Sequence, residues 1–443
     1  MELREIPKFI VDKGVEKGAT DVAAAVVNLE SRMIRFSNSK VSISKSYSKA
    51  YVSIYLMMKN RRAAISISDL NEKSLIEAVE RAIKTAKITP PADVYAPLPS
   101  GPFRYDETLL APSSVSLDPS LLTGYVDEAI EGALEQGVKK VAGSLTATNA
   151  EFFLATSSNV SASQTSSALE VSVRAFTSDV ASGHSVSVAR NEKDFNPRLA
   201  GREAAEIAKA ALNPAPGEPG TYRALLGPLV FADLVNQIGV LSSAFYVDAG
   251  QSFLVDKLGH EVASQKFTLI DDPTIPNSPG SRAFDDEGLP TRRNVIVEKG
   301  VLKTYLHNTT TAKKFGVEST SNAGYIVPTP WNLIVEPGNR SYETLLSEID
   351  HGIYVTNDWY LRYQNYRSGD FSTIPRDGMF LVEKGEIARS IRELRISDNM
   401  IRVFSNIIEL SRERKWIKWW EVEVPTYTPY ALIEDLKFTK STI

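Results

Sequence analysis

The first half of the chain contains an internal repeat, which constrains the fold more than any other feature of the sequence. In residues 1–88 a helical pattern ending at Gly18 is followed by strand-like segments and then by a second helix, which Asn71 can start. The same order recurs in residues 119–213. Two landmarks recur 121 residues later: Glu30 with Ser37-Asn38 corresponds to Glu151 with Ser158-Asn159.

The repeat predicts an α+β fold with duplicated helix–antiparallel-sheet–helix units. Each unit is expected to bury one face of its own sheet under its helices, or the two units share one sheet. Five short strands are expected in each unit. In the first unit they cover residues 22–29, 33–37, 41–46, 51–58 and 62–68, and in the second they lie within residues 138–188.

Two proline-rich segments predict the domain boundaries. Residues 89–118 contain five prolines before position 103, which favours an extended linker. Residues 213–220 contain three more prolines and two glycines. The predicted domains are therefore a first α/β unit (1–88), a linker (89–118), a second α/β unit (119–213) and a C-terminal domain (221–443).

The C-terminal domain is expected to be β-rich and barrel-like, with antiparallel strands. It opens with an apolar stretch, residues 225–240, that predicts one buried helix. Lys299-Gly300 and Lys384-Gly385 are predicted hairpin turns. Strands are expected at residues 253–258, 262–270, 293–297, 301–307, 378–382 and 386–396, then a strand or short helix at 401–410 and a closing tryptophan-rich strand.

Charge and hydropathy exclude several classes of protein. The formal net charge is -4, from 50 basic and 54 acidic residues mixed along the chain. This balance gives no basic surface for nucleic acid and no polybasic membrane anchor. No apolar run approaches the roughly 20 residues that span a bilayer, and the first seven residues do not resemble a signal peptide. We predict a cytoplasmic protein without nucleic-acid or membrane partners.

Few residues are available to bind a metal through nitrogen or sulfur. The chain has no cysteine and four histidines. His260-Glu261 resembles the start of a zinc-protease helix, but no second histidine follows at the required spacing. His260 is therefore interpreted as a hairpin or strand-edge residue. His184 is expected in a hairpin, His307 at a strand end and His351 at a helix end. The G-x-S-x-G and phosphate-loop signatures are absent.

Two acidic clusters are the remaining candidate site. Asp271-Asp272 and Asp285-Asp286-Glu287 flank a loop rich in proline and glycine. Their carboxylates are suited to bind a hard cation or to orient a substrate amine. The alternative is structural: the carboxylates form turns, stay solvated or accept hydrogen bonds from nearby backbone amides.

Several motifs of the second half resemble the TldD/PmbA family. The most specific is the string from Asp285 to Thr291, Asp-Asp-Glu-Gly-Leu-Pro-Thr. It is accompanied, in order, by Gly250-Gln251-Ser252-Phe253, Ile270-Asp271-Asp272-Pro273, Val297-Glu298-Lys299-Gly300, Ser321-Asn322-Ala323-Gly324, Gly369-Asp370-Phe371-Ser372 and Val424-Pro425-Thr426. The resemblance covers most of residues 225–430.

The resemblance implies a cytoplasmic metalloprotease assembled from two homologous subunits. In the active, TldD-like subunit, a His-Glu-x-x-x-His helix and a later thiolate bind zinc or a similar metal. Counting back from Gly250 places that motif at residues 235–240. Here the motif is degenerate: Val235 and Val240 stand at the positions of the two histidines, and Asn236 stands at the position of the glutamate. This pattern is similar to the TldE (PmbA) branch, and it implies a non-catalytic partner without a cofactor of its own. The partner is a TldD-like subunit in a heterodimer or a second copy in a homodimer, and the substrate is an unfolded peptide.

Two other functions remain open. A self-standing metal-dependent hydrolase would use Asp271, Asp285 and Asp286, whereas a peptide-binding modulator would act alone. The segment containing Trp416, Trp419 and Trp420 is interpreted either as a partner-binding surface or as part of the core of the β domain.

Overall fold

The computed structural model describes residues 1–111 and 113–441. After a 3-10 turn at Leu3–Glu5, the helices are α1 (Ile6–Glu16), α2 (Glu72–Ile88), α3 (Glu107–Leu110), α4 (Pro119–Leu134), α5 (Pro197–Ala210), α6 (Pro228–Leu241), α7 (Ala244–Asp248), α8 (Thr309–Phe315), α9 (Tyr342–Ser347) and α10 (Met400–Ser405). The strands of the first half are β1 (Asp21–Ser37), β2 (Lys40–Met58), β3 (Arg61–Ile67), β4 (Lys140–Thr156), β5 (Val160–Ser178) and β6 (Ala181–Ala189). Those of the second half are β7 (Ala215–Pro216), β8 (Gly220–Leu226), β9 (Leu269–Asp271), β10 (Asn294–Glu298), β11 (Val301–Leu302), β12 (Leu333–Val335), β13 (His351–Asn365), β14 (Asp370–Glu383), β15 (Glu386–Arg392), β16 (Leu394–Asn399), β17 (Ile407–Trp419) and β18 (Val422–Lys440).

The two repeat units share one antiparallel sheet, the second of the two arrangements that the repeat allows. The strand order is β3-β2-β1-β4-β5-β6, so β1 and β4 meet at the centre. Helices α1 and α2 cover the first unit through Ile10 and Val79, and α4 and α5 cover the second through Val126 and Ala204. The opposite face of the sheet is left for the C-terminal domain.

Each unit has three long strands, so the prediction of five short strands was wrong. Residues 30–32 and 47–50 are mostly polar, and they separated predicted strands. They instead continue β1 and β2, because this stretch contains no glycine or proline to break a strand. The landmark residues of the repeat do mark turns: Asn38 and Asn159 have φ angles of 48° and 62°.

The C-terminal domain contains a closed ring of strands, which confirms the barrel-like prediction. β18 pairs with β8, β8 with β13, β13 with β14, β14 with β16, and β16 again with β18. All five strands contribute to the largest buried hydrophobic cluster, which α6 and α10 complete. The domain is not purely antiparallel, since β8–β13, β12–β18 and β7–β15 are parallel pairs. Long excursions separate these strands and let the chain return in the same direction.

Both predicted hairpin turns of this domain are confirmed. Lys299-Gly300 joins β10 to β11 with φ angles of 45° and 85°, and Lys384-Gly385 joins β14 to β15 with 52° and 81°. Positive φ at both central residues gives the turn the twist of its flanking strands, and glycine adopts it without strain.

Other predicted elements need correction. Residues 225–240 are not one helix. β8 ends at Leu226, Gly227 is the N-cap, and α6 begins at Pro228. The fixed φ of proline suits the first position of a helix. Residues 253–258 form turns, with Asp256 at a φ of 63°, and only the end of 262–270 is a strand. Residues 301–307 contain only the two-residue β11. Residues 386–396 divide into β15 and β16, and 401–410 into α10 and the start of β17.

The open face of the six-stranded sheet contacts the C-terminal domain at several places, which include two groups of polar contacts. At one, Arg190 Nη1 donates to the Ser281 carbonyl over 3.0 Å, and Ala283 N donates to Gln164 Oε1 over 2.9 Å. At the other, Arg174 forms an ion pair with the buried Asp377. No helix in the described residues is long and apolar enough to cross a membrane.

Candidate functional site

Helix α6 carries the three degenerate positions, and its composition makes it a core helix. Val235 is fully buried in the largest hydrophobic cluster, beside Leu234 and Ile238. Val240 is half-buried. The prediction that this helix packs like a core element holds in the structure. Neither valine has a lone pair to offer a metal.

The side-chain amide of Asn236 joins α6 to β18. Its Nδ2 donates to the Val424 carbonyl over 3.0 Å and to Thr426 Oγ1 over 2.6 Å. Its Oδ1 accepts from Val424 N over 3.0 Å. The amide therefore donates and accepts toward the backbone of β18. Because both of its ends are occupied, Asn236 is not placed to polarise a water molecule.

The side chains at positions 235, 236 and 240 do not fit a catalytic metal. A hydrolytic metal needs imidazole, carboxylate or thiolate ligands and a neighbouring base. Two hydrocarbon side chains and a carboxamide engaged by protein meet neither need. Across residues 1–111 and 113–441, no group of three or more histidine or acidic side chains is arranged to hold a metal ion.

A buried pair of acids beside this helix was missed by the sequence reasoning. Asp233 lies one turn before Asn236 and is 1% exposed, and Asp358 of β13 is fully buried. Burial, and then the negative charge of Glu421, raise the pKa of Asp233 to about 8. Burial and the charge of Asp233 raise the pKa of Asp358 well above its usual value. The signal was present in the sequence: Asp233 is the only charged residue in the apolar α6.

The first acidic cluster holds a neighbouring loop. Asp271 Oδ1 accepts from the backbone amides of Trp331 and Asn332 over 2.8 and 2.7 Å, and its Oδ2 accepts from Asn322 Nδ2 over 2.6 Å. Burial raises the pKa of Asp271 to about 6, although these hydrogen bonds oppose the shift. Asp272 closes its own turn by accepting from Thr274 N over 3.0 Å.

The second cluster behaves similarly. Asp285 accepts from the backbone amides of Glu287, Leu289 and Ala323 over 3.0, 2.9 and 3.1 Å. Burial and the charge of Glu287 raise the pKa of Asp285 well above its usual value. Burial also raises the pKa of Glu287 to about 7, against hydrogen bonds from Thr309. Asp286 pairs with Arg282.

The two clusters meet through residues 321–332, which both of them hold. Asn322 binds Asp271, and the next residue, Ala323, donates to Asp285. The acids thus bind backbone amides, as in the structural interpretation, but most of them are buried and not solvated. With their oxygens directed at protein donors, this arrangement fixes loops and favours neither cation binding nor proton transfer to a substrate.

The histidines are dispersed. His260 is exposed in a bend, next to the isolated bridge between Glu261 and Val301, and His307 is buried just before the N-cap of α8, Asn308. His184 lies in the predicted hairpin, within its second strand β6. Burial lowers the pKa of His184 to about 4, and Ser172 Oγ lies 2.8 Å from its Nε2. His351 begins β13 and does not end a helix.

The tryptophan segment is partly buried core and partly exposed surface. Trp419 is buried, and its ring centroid lies 4.7 Å from that of His184 on the N-terminal sheet. Trp416 stacks on Tyr427 at 4.8 Å. Trp420 is 54% exposed and lies against Trp359, with 5.0 Å between ring centroids. One tryptophan therefore joins the two halves, and another is open to solvent.

Comparison with known proteins agrees with the motifs. Residues 112–212 match the model described as the PmbA/TldA metallopeptidase central domain, and residues 219–440 match the corresponding C-terminal domain. A metalloprotease of Methanocaldococcus jannaschii is 30% identical over 225 residues, 48% of each chain. The chain thus spans about half the length of this relative. A PmbA homolog of Haemophilus influenzae, also described as a metalloprotease, is 25% identical over 93% of this chain and 91% of its own.

Solved structures extend the similarity to the whole fold. A Thermotoga maritima protein described as a candidate modulator of a DNA gyrase superposes with a TM-score of 0.84 at 25% identity, covering 99% of this chain and 100% of its own. TldE from Thermococcus kodakarensis gives a TM-score of 0.84 at 23% identity, covering 98% and 100%, and this likeness concerns the fold alone. With motifs, family models and fold in agreement, the chain belongs to the PmbA/TldD metallopeptidase family.

Proposed function

We propose that this chain is the non-catalytic, TldE-like subunit of a two-chain metalloprotease. A homologous TldD-like chain supplies the metal, zinc or a similar ion, and the general base. This chain contributes a wall of the chamber that receives unfolded peptides. Membership of a metalloprotease family follows from the comparisons with known proteins.

The observation that carries the proposal is the state of Asn236. The residue does more than lack a basic oxygen: its amide is bound on both sides by β18. With Val235 in the core, the positions that would bind a metal are part of the packing of α6. These three side chains therefore suit packing within a protein subunit better than metal binding and peptide hydrolysis.

The geometry does not favour a self-standing hydrolase that uses Asp271, Asp285 and Asp286. Asp271 and Asp285 each accept three hydrogen bonds from protein donors, and Asp286 is paired with Arg282. A peptide-binding modulator that acts alone would be recovered without a protease chain, whereas a protease subunit would be recovered with one.

Affinity purification of the tagged chain from its native host tests the proposal. We expect a TldD-like chain, recognisable by its His-Glu-x-x-x-His helix, to copurify in equal amount. Recovery of the chain alone or only as a homodimer, at expression levels where the TldD-like chain is present, would contradict the heterodimer. A tagged single-domain protein from the same host is the control for nonspecific capture.

A further inference from the structure

The outer half of β2 is an open sheet edge. β3 pairs only with residues 52–58 of β2. In residues 40–51, β2 is paired with β1 on one side, and no described strand pairs with its other side. Residues 40–49 are all exposed. Such an edge presents unpaired backbone donors and acceptors to any extended chain that approaches it.

One face of this open strand has the pattern of a covered surface. Ile43, Lys45, Tyr47, Lys49 and Tyr51 lie on it in alternation. The same face carries Tyr55, whose ring stacks against Tyr325 of the C-terminal domain at 6.0 Å. Ile43 and Tyr47 remain 40% and 45% exposed. Apolar residues alternating along a strand normally mark a face that another layer covers.

This face is positively charged. β1 and the open half of β2 give it Arg35, Lys45 and Lys49 and no carboxylate. Within residues 1–111 and 113–441, none of these three cations has an ion-pair partner. The charge is complementary to an acidic ligand.

A cleft continues the surface toward the C-terminal domain. Its volume is about 490 Å³. Arg35 and Ile43 of the N-terminal sheet line it together with Trp359, Trp419 and Trp420 of the C-terminal domain. A cleft of this size accepts apolar or aromatic side chains of a bound chain.

We propose that the open edge of β2 binds an extended, acidic peptide as an added strand, with alternate apolar side chains entering the tryptophan cleft. Main-chain hydrogen bonds would supply affinity, and the cations and the cleft would supply selectivity. A second copy of this chain is disfavoured at this edge, because antiparallel self-pairing would bring the lysines of both copies together. That the bound peptide is a protease substrate rests on the proposed function, whereas peptide binding at this edge does not.

The absence of cysteine allows a single labelled site. A Tyr47→Cys variant carries an environment-sensitive fluorophore on the proposed surface, and Val15→Cys, on α1 and 48% exposed in the wild type, is the matched control. The probe is a peptide of about twelve residues with glutamate and phenylalanine in turn at the odd positions, so that both face the cations and the cleft, and with threonine at the even positions. Its length matches residues 40–51 at about 3.3 Å per residue. A second peptide replaces glutamate by lysine.

We expect saturable binding of the acidic peptide at position 47 and no response at position 15. The lysine peptide should bind at least about tenfold more weakly. Lys45→Glu with Lys49→Glu should abolish the preference, whereas Lys84→Glu with Lys87→Glu on α2, an equal change of charge, should leave it intact.

Two N-methylated peptides distinguish strand pairing from simple charge attraction. One is methylated at the odd positions and the other at the even positions. An added strand uses the amides of one parity for the edge, so only one of the two should lose binding. Equal binding by both, or no binding at all, would overturn the proposal.

A salt-stable dimer that Lys45→Glu and Lys49→Glu dissociate would also overturn it, by assigning the edge to a second copy. Since only this chain is used, failure here would leave the proposed two-chain protease untested, and failure to find a TldD-like partner would not alter this result.

Discussion

The side-chain amide of Asn236 has a structural role. A carboxylate there would accept from Val424 N but would lie against the Val424 carbonyl without a proton to donate. The carboxamide donates and accepts at once and satisfies both backbone groups. Asparagine at this position is thus suited to lock α6 on β18.

Removal of this amide should destabilise the protein. Asn236→Ala removes three hydrogen bonds and takes away the acceptor of Val424 N, whereas the Val424 carbonyl and Thr426 Oγ1 keep their mutual hydrogen bond. We expect a cost of about 1–3 kcal/mol. Chemical denaturation measures the loss. Gln237→Ala, which removes a single contact of 3.4 Å to Asp233 on the half-buried side of the helix, is the control, and similar losses in both variants would argue against the lock.

Asp233 should make stability depend on pH. Its folded pKa of about 8 lies above its ordinary value, so the folded protein retains a proton that the unfolded chain releases. Stability therefore falls as pH rises from about 4 to about 8. Asp233→Asn removes this dependence. Its melting temperature relative to wild type should rise between pH 5 and pH 8 and show little difference near pH 4.

The control has the opposite sign. Asp69 accepts from Ser74 and Asn71, and these hydrogen bonds lower its pKa. Asp69→Asn should therefore be less stable than wild type at neutral pH, with the difference fading as the pH falls. A gain of stability in Asp233→Asn that does not change with pH would show that the buried acid is ionised throughout.

At the scale of elements, the carboxylates of the acidic loops connect irregular segments through hydrogen bonds. Short strands and turns dominate residues 250–340, and carboxylates replace the ladders of hydrogen bonds that longer strands would provide. Asp285 alone holds Leu289 and Ala323 through their backbone amides.

Asp285 and Asp286 should differ sharply despite being neighbours. Asp285→Ala leaves three backbone amides without an acceptor and should cost about 3 kcal/mol or more. Asp286→Ala breaks a partly exposed pair with Arg282 and should cost less than about 1 kcal/mol. Urea unfolding of the two variants measures both. A larger loss in Asp286→Ala would contradict the assignment of Asp285 as the carboxylate that holds these loops.

The sequence predicts elements where local chemistry determines them. Gly300 and Gly385 marked hairpins correctly, and Asn71 is the N-cap of α2, with its Oδ1 accepting from Ser74 N over 2.9 Å. The full length of β1 and β2 was not predicted, because residues 30–32 and 47–50 are mostly polar and lack the apolar pattern of a strand. These segments are held by the pairing of β1 with β2 and with β4. Residues 253–258 have the composition of a strand but form turns around Asp256.

The candidate site was only partly accessible to sequence reasoning. The identity of Val235 and Val240 excludes metal ligands without a structure. The partners of Asp271 lie about 50 to 60 residues away, and no spacing rule predicts contacts over such distances. Asp233 was visible as a lone charge, but its partner Asp358 required the fold.

At the scale of the whole molecule, Asp377 connects the two halves. It accepts from Arg174 and Ser182 of the N-terminal sheet and from Asn357 Nδ2, the last over 3.0 Å. The carboxylate is buried, so its partners depend on it.

Asp377→Ala should weaken the contact between the halves. Leaving Arg174 without its counter-ion should cost about 3 kcal/mol or more, and calorimetry should show a lower melting temperature with a broader or divided transition. Glu170→Ala breaks the more exposed ion pair with Lys418, also between the halves, and should have a smaller effect. Equal effects would mean that the halves are held mainly by apolar packing around Trp419.

The division of labour between two chains is tested most directly by hydrolysis of unfolded casein together with metal analysis. We expect the purified chain to hold no stoichiometric divalent metal and to leave casein intact. Mixed with a TldD-like chain from the same host, it should give chelator-sensitive cleavage faster than that chain gives alone. Chelator-sensitive cleavage by this chain alone, lost in Asp285→Asn, would contradict the non-catalytic role and identify the acidic loops as an active site.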